Sequence, residues 1–360
     1  MTPLFVPGPV DVNEDVLAAQ TMPMIPHRSP AFEELFHRVE GKARKLFKTK
    51  SRVFLLASSG TGLHEAAVRN FVSGKMLACV NGAFSKRWLA VAESNSKDVD
   101  VLETDWQAPI TPELVSEALK KHKYEIITVV HNETSTGLMN PIKEIAAAVK
   151  ENSPDTLVCV DAVSSFSGTN LDMDAWGLDM VLTSSQKCLA LPPGLSLAAV
   201  NDRGMVQAEK TQNRGWYFDF VRLEKHRLKD STPATPAESL IYALDVQLDR
   251  IFAEGVENRF SRHSAMATYT QEWAIKNGFG LYAPKGYRSQ TVTTLENTHN
   301  IDVGKLNEFL SSRDMRIAGG YGPIKSKTFR IGHMGELTTT DLDQLFAAME
   351  EYLATHHNAD

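Results

Sequence analysis

The chain has 360 residues, of which 42% are hydrophobic and 23% charged, and a formal net charge of -6 at pH 7. Such a composition builds ordinary globular cores, and the length suits two packed domains. No run of Lys or Arg dominates a segment, which argues against nucleic acid or an anionic membrane as the main partner.

Cys79, Cys159 and Cys188 form neither a disulfide framework nor a CxxC pair. The opening MTPLFVPGPVDVNEDV lacks a basic stretch followed by an apolar one, and no apolar run approaches the roughly 20 residues that span a bilayer. The expected location is the reducing cytoplasm.

In chain order, the first strong pattern is SPAFEELFHRVEGKARKLF. It places Phe32, Leu35, Phe36, Val39, Leu46 and Phe47 on one helical face behind a Ser29-Pro30 start. Strands are expected at 53–57, 76–80, 125–131, 156–161, 180–183 and 196–200, each a short apolar run. Helices are expected between several of them, one opening at Thr111-Pro112 and one over NPIKEIAAAVKEN. Continuous β-branched runs alternating with helices indicate a mostly parallel sheet covered on both faces. After STPATPAESL a helical pattern runs to about Lys276. QTVTTLE and KTFRIGHMG then read as strands, and TTDLDQLFAAMEEYLATH as a closing helix.

Polar groups cluster where these strands end. LLASSGTGLHEAAVRNF is a strand, a Gly-rich turn and a helix; Gly60 and Gly62 admit close backbone approach, and Ser59, Thr61 and the first helical amides suit a phosphate. Taken alone, the turn serves equally as a plain connection. Asp161 ends LVCVD, where a buried carboxylate needs a cation or several donors, although an Asp at a strand end also commonly bonds loop amides. His131, Asn132, Glu133 and Thr134 end another strand, and a self-satisfied polar turn would account for them too. Lys187 follows MVLTSSQ and precedes a Pro-Pro-Gly turn. A phosphate cradle, a hydroxyl cluster, a strand-end carboxylate and an isolated lysine together match the needs of pyridoxal 5'-phosphate: anchorage for the phosphate, a partner for the ring nitrogen and an amine for the aldehyde.

These stretches, SSGTGLHEA, HNETSTG, VDAVSS, SSQKCLALPPG, STPATP and RIGHMG, resemble the class V aminotransferases of pyridoxal-phosphate fold type I, most closely the alanine–glyoxylate and serine–pyruvate branch. The resemblance covers nearly the whole chain. It implies an α/β fold whose large domain, residues 15–260, carries a mostly parallel seven-stranded sheet. A smaller C-terminal α+β domain, 261–360, would be joined by the N-terminal residues 1–14.

It implies Lys187 as the residue that carries the cofactor covalently and moves the substrate proton. Asp161 would hold the pyridinium nitrogen and Phe84 stack on the ring. Ser59, Gly60, Thr61, Thr134 and Gln186 would complete the cofactor contacts. Arg330 would grip the substrate α-carboxylate, and no metal is expected. Thr232 matches a phosphate ligand that relatives supply from a second subunit, so the resemblance implies a homodimer with composite sites. Many relatives of the glyoxylate branch have Trp at the position of Phe84, and many carry a Tyr shortly before the threonine, where Leu228, Lys229 and Asp230 stand here. The activity implied is ping-pong amino transfer between a small L-amino acid, alanine or serine first, and a 2-oxo acid such as glyoxylate or pyruvate. Aspartate, phosphoserine or 2-aminoethylphosphonate are alternative substrates. A desulfurase-like lyase needs a thiol on a later loop, and no cysteine follows Cys188. A dinucleotide fold fails because SSGTG is not GxGxxG.

Overall fold

The computed structural model describes residues 3–356; residues 1, 2 and 357–360 of the expected units lie outside that range. A seven-stranded sheet runs in the order Arg52–Ala57, Leu195–Val200, Met180–Ser184, Leu157–Asp161, Ile126–Val130, Lys75–Val80, Asp98–Glu103. Leu195–Val200 is antiparallel to both neighbours and the other pairings are parallel. The six expected strands are present within a residue or two of their anticipated ends.

The seventh strand, Asp98–Glu103, did not read as one from sequence. Its pattern DVDVLE sets an acidic residue at every second or third position, as an edge strand facing solvent permits. Lys75 on the neighbouring strand meets both Asp98 and Asp100 at 2.9 Å.

The pleat sends alternate residues into two separate cores. Val53 and Leu55 join one with Ile127, Val129, Val158 and Val160; Phe54 and Leu56 join the other with Ile126, Leu157 and Cys159. Helix Pro30–Leu46 covers the first face through Phe32, Leu35 and Val39, and helix Gly60–Phe71 covers the second through Leu63, Ala66 and Ala67. Each fully buried Val, Leu or Phe contributes about 1.5–3 kcal/mol. The start signals act as expected: Ser29 accepts from Phe32 N with Pro30 in the first turn, and Thr111 accepts from Leu114 N with Pro112 behind it.

The long helical pattern is two helices, Glu238–Glu254 and Val256–Lys276, broken at Gly255 with φ +85°. A second, five-stranded sheet follows the order Leu4–Phe5, Arg316–Gly319, Thr328–Gly332, Val292–Glu296, Gly280–Leu281. The chain's beginning thus pairs with its last third, Leu4 opposite Arg316. Helix Thr339–His356 packs on this sheet through Leu342, Leu345, Phe346 and Met349. No helix among the described residues is long and apolar enough to cross a membrane.

Candidate active site

With one strand reversed, the carboxyl ends of the other six point to one edge of the large sheet, where open α/β folds bind ligands. The chain leaves Ala57 into Ser58-Ser59-Gly60, Val80 into Asn81-Gly82, Val130 into 131–134, Asp161 into Ala162-Val163, and Ser184 into Gln186-Lys187. A cavity of about 240 Å³ opens there. Ser59, Gly60, Thr61, Phe84, Thr134, Asp161, Gln186 and Lys187 line it, with His64, Arg87, Asn132 and Ser184. Eight residues singled out from the sequence therefore meet, although they come from five strand ends. A second cavity, of about 520 Å³, shares Phe84, Thr134 and Lys187 with the first and reaches Arg330, Tyr321 and Pro7–Pro9.

Lys187 is buried. Its Nζ donates to the carbonyl of Pro7 and lies 5.9 Å from the Phe84 ring centroid. Burial, then the positive charge of Arg330, lowers its pKa to about 8. Asp161 is also buried; Oδ1 accepts from Val163 N at 2.7 Å and Oδ2 is 2.7 Å from His64 Nε2. His64 stacks on Trp88, centroids 4.6 Å apart and planes 11° from parallel, while its Nδ1 has no partner among the described residues. Nε2 is placed to donate to that carboxylate.

Phe84 sits in the first turn of helix Ala83–Ser94. The buried Glu133 carboxylate caps that turn, accepting from Phe84 N at 3.2 Å and Ser85 N at 3.0 Å. Burial raises the Glu133 pKa above the ordinary carboxylate value. Thr134 Oγ1 donates to Ser164 Oγ at 2.8 Å, and the Thr134 carbonyl accepts from Arg330 Nη1 at 3.2 Å. Arg330 Nε also donates to Gly319 O at 3.0 Å. Two backbone carbonyls therefore aim a buried guanidinium, and it has no carboxylate partner among the described residues. Desolvation lowers its pKa. Arg87 lies over Phe84 with Cζ 4.9 Å from the centroid, and its Nη2 is 3.4 Å from Tyr321 Oη.

Thr232 stands apart. Its Oγ1 donates to Ala234 O at 2.7 Å beside Trp216 and Tyr217, and it does not line the cavity of its own chain. Arg28 bonds Ser231 Oγ and the carbonyl of Thr232. The sequence reading missed His64, Arg87 and the capping role of Glu133. His64 and Asp161 lie 97 positions apart, and nothing local to either residue announces the pair.

Cys188 has its thiol pKa pushed up to about 11 by burial, and Cys79 and Cys159 are buried with raised values from the same cause. None is a ready nucleophile. No cluster of three or more His, Cys, Asp or Glu that could hold a metal occurs among the described residues.

The family description Aminotransferase class-V matches residues 15–345. An L-aspartate–glyoxylate aminotransferase of Paracoccus denitrificans is 35% identical, over 93% of this chain and 87% of its own. A serine–glyoxylate aminotransferase of Arabidopsis thaliana is 32% identical, over 97% and 90%. The crystal structure of an alanine–glyoxylate aminotransferase from Nostoc sp. superposes with a TM-score of 0.92 at 30% identity, covering 97% of this chain and 94% of that one.

Proposed function

The chain belongs to the class-V aminotransferase family, and from that premise we propose that it transfers the amino group of L-alanine or L-serine to glyoxylate or pyruvate, using pyridoxal 5'-phosphate held in the 240 Å³ cavity. Its fold is that of the fold type I transaminases. The observation that carries the reading is the buried Lys187 amine in a space bordered by Asp161 on one side and Arg330 on the other.

The residues present fit the cofactor. Ser184 Oγ and Asn132 Oδ1 are buried, line the cavity and have no hydrogen-bond partner among the described residues, so they are open to a polar ligand. A Cβ at Gly60 would lie 2.6 Å from Val163 Cγ2, so the turn before the helix takes only glycine without displacement. Ser59, Gly60, Thr61 and Gln186 would hold the phosphate, with Thr232 arriving from a second subunit of a homodimer. Asp161, fixed by Val163 and His64, would hold the ring N–H. Thr134 would contact the ring's edge and Phe84 cover one face. When bound, the cofactor supplies an electron sink for the charge left on the substrate α-carbon.

Arg330 orients the donor by a two-pronged pairing with its α-carboxylate. Lys187 Nζ, with a pKa near 8, is in part uncharged at neutral pH. It would take the proton from the donor's α-carbon and pass it to the bound cofactor within the same half-reaction, and would run that transfer in reverse onto the new amino acid in the acceptor half. The Pro7 carbonyl holds the amine at the cavity floor. Burial of both groups keeps bulk water from competing for them.

A spectral titration of cofactor-loaded protein tests the reading. L-Alanine or L-serine, without acceptor, should bleach the cofactor's visible band, and glyoxylate or pyruvate should restore it. Sulfide release from cysteine with the band intact would instead indicate a lyase.

A further inference from the structure

Two guanidinium groups border the space around Lys187, and one α-carboxylate can neutralise only one of them. Arg330 is held by carbonyls and has no acidic partner among the described residues. Arg87 has none either; its contacts are the Phe84 ring and a long 3.4 Å approach to Tyr321 Oη. Tyr321 stands between them, its ring 5.8 Å from that of Phe84 and 5.5 Å from Arg330 Cζ. Each cation thus lies over one ring of the same aromatic pair, Arg87 over Phe84 and Arg330 over Tyr321. Both act on the same amine, since Arg330 and Arg87 each contribute to the lowered pKa of Lys187.

A guanidinium stacked on an aromatic ring is weakly hydrated, and its planar fork stays available for an anion. Such a group in a cavity wall, with no carboxylate of its own, draws a second negative charge to the site. The geometry points to Arg87 as a second anion-binding group, so that the donors this enzyme accepts include amino acids with an anionic side chain, carboxylate or phosphate. The inference rests on the aminotransferase reading above and widens its substrate class. The rival use of Arg87 is the cofactor's own phosphate, because Ser59–Thr61 line the same cavity.

The test compares cofactor-loaded wild type with Arg87→Gln and Arg87→Lys. Succinate and acetate, neither of which carries an amine to transfer, are titrated by the change in cofactor absorbance. Half-reaction rates are then measured with L-aspartate, L-glutamate, O-phosphoserine and L-alanine. Wild type should bind succinate at least about tenfold tighter than acetate, the increment expected of one charge-assisted contact. Arg87→Gln should remove that difference and lower the anionic-donor rates at least tenfold more than the alanine rate, with Arg87→Lys between the two. The anionic donor that loses most identifies carboxylate or phosphate as the preferred group.

A succinate-to-acetate ratio near one in wild type overturns the inference, whether or not the variants fold. So does an equal loss for every donor, or a loss confined to cofactor affinity, which would assign Arg87 to the phosphate. If no donor reacts at all, the aminotransferase reading fails, and the succinate-to-acetate ratio still decides on Arg87.

Discussion

Gly8 lies directly against Lys187: a Cβ added at Gly8 would sit 2.5 Å from Cδ of the lysine and 3.0 Å from the Gln186 carbonyl. The backbone there has φ +102°, a region that side chains other than glycine's resist. Gly8→Ala must displace either the lysine or the segment above it. The expected outcome is a loss of stability of about 1–3 kcal/mol and at least a tenfold fall in amino transfer. Thermal unfolding and steady-state rates check both, and unchanged rates would mean that Lys187 does not depend on this contact.

The depressed pKa of Lys187 makes stability depend on pH in a defined window. The unfolded chain holds the proton up to about pH 10.5, whereas the folded one releases it near 8, so the unfolded state binds more protons between these values. Stability therefore rises with pH across that interval, and the penalty is fully present below it. The shift corresponds to a contribution on the order of 3 kcal/mol. Lys187→Met should remove the slope and be more stable than wild type at pH 7 without cofactor. It should also lose amino transfer by about 10²-fold or more. Denaturant titrations of cofactor-free protein at pH 7.5 and 10 distinguish the two chains.

His64 acts on Asp161 from behind, with Nε2 2.7 Å from Oδ2. His64→Leu leaves that buried oxygen without its donor, a loss of about 1–3 kcal/mol. The cofactor dissociation constant should rise roughly tenfold and its absorbance maximum should move. His64→Gln, which can still donate, should recover part of both. A variant that only loosened packing against Trp88 would lower the melting temperature and leave the spectrum alone.

Arg330→Lys keeps the charge and loses the fork aimed by Gly319 and Thr134. KM should rise by about 10–100-fold for every amino donor, matching the loss of one or two charge-assisted hydrogen bonds. Cofactor binding should be unaffected. A rise limited to one donor class would place that arginine on the side chain and not on the α-carboxylate.

Glu133→Gln probes the ring cover. Its carboxylate accepts from Phe84 N and Ser85 N in a site with no solvent access. Halving the acceptor capacity should cost about 1–3 kcal/mol of stability and weaken cofactor retention, because the turn that carries Phe84 is no longer clamped. Unfolding curves and cofactor release on dilution measure the two effects.

Strands such as Ile126–Val130 and Leu157–Asp161 were legible because both faces are buried, which leaves uninterrupted apolar runs. Asp98–Glu103 was not, since an edge strand needs only one apolar face and its acids meet solvent and Lys75. The break at Gly255 was hidden for a different reason: an amphipathic pattern continues across a single left-handed residue. Lys187 stood out because a lysine is a poor choice behind an apolar strand unless its amine is used, whereas Asp161 and the Ser59–Thr61 turn, each ordinary alone, gained meaning only in combination with it. Arg87 and His64 looked like ordinary helical positions.

What the sequence determined by itself was the order of strands and turns, and with it the loop ends at which chemistry would collect. Local pattern suffices for that, because periodicity and turn residues act over a few positions. Which side chains meet was decided only by the tertiary structure. The pairing of the reversed strand Leu195–Val200 with Arg52–Ala57, that of Leu4–Phe5 with Arg316–Gly319, and the docking of the small sheet over Lys187 join segments far apart in the chain. The contacts of Lys187 with Pro7, of His64 with Asp161 and of Arg330 with Thr134 follow from that packing. They are long-range contacts, fixed by how whole elements bury their apolar faces, and no short stretch of sequence carries them.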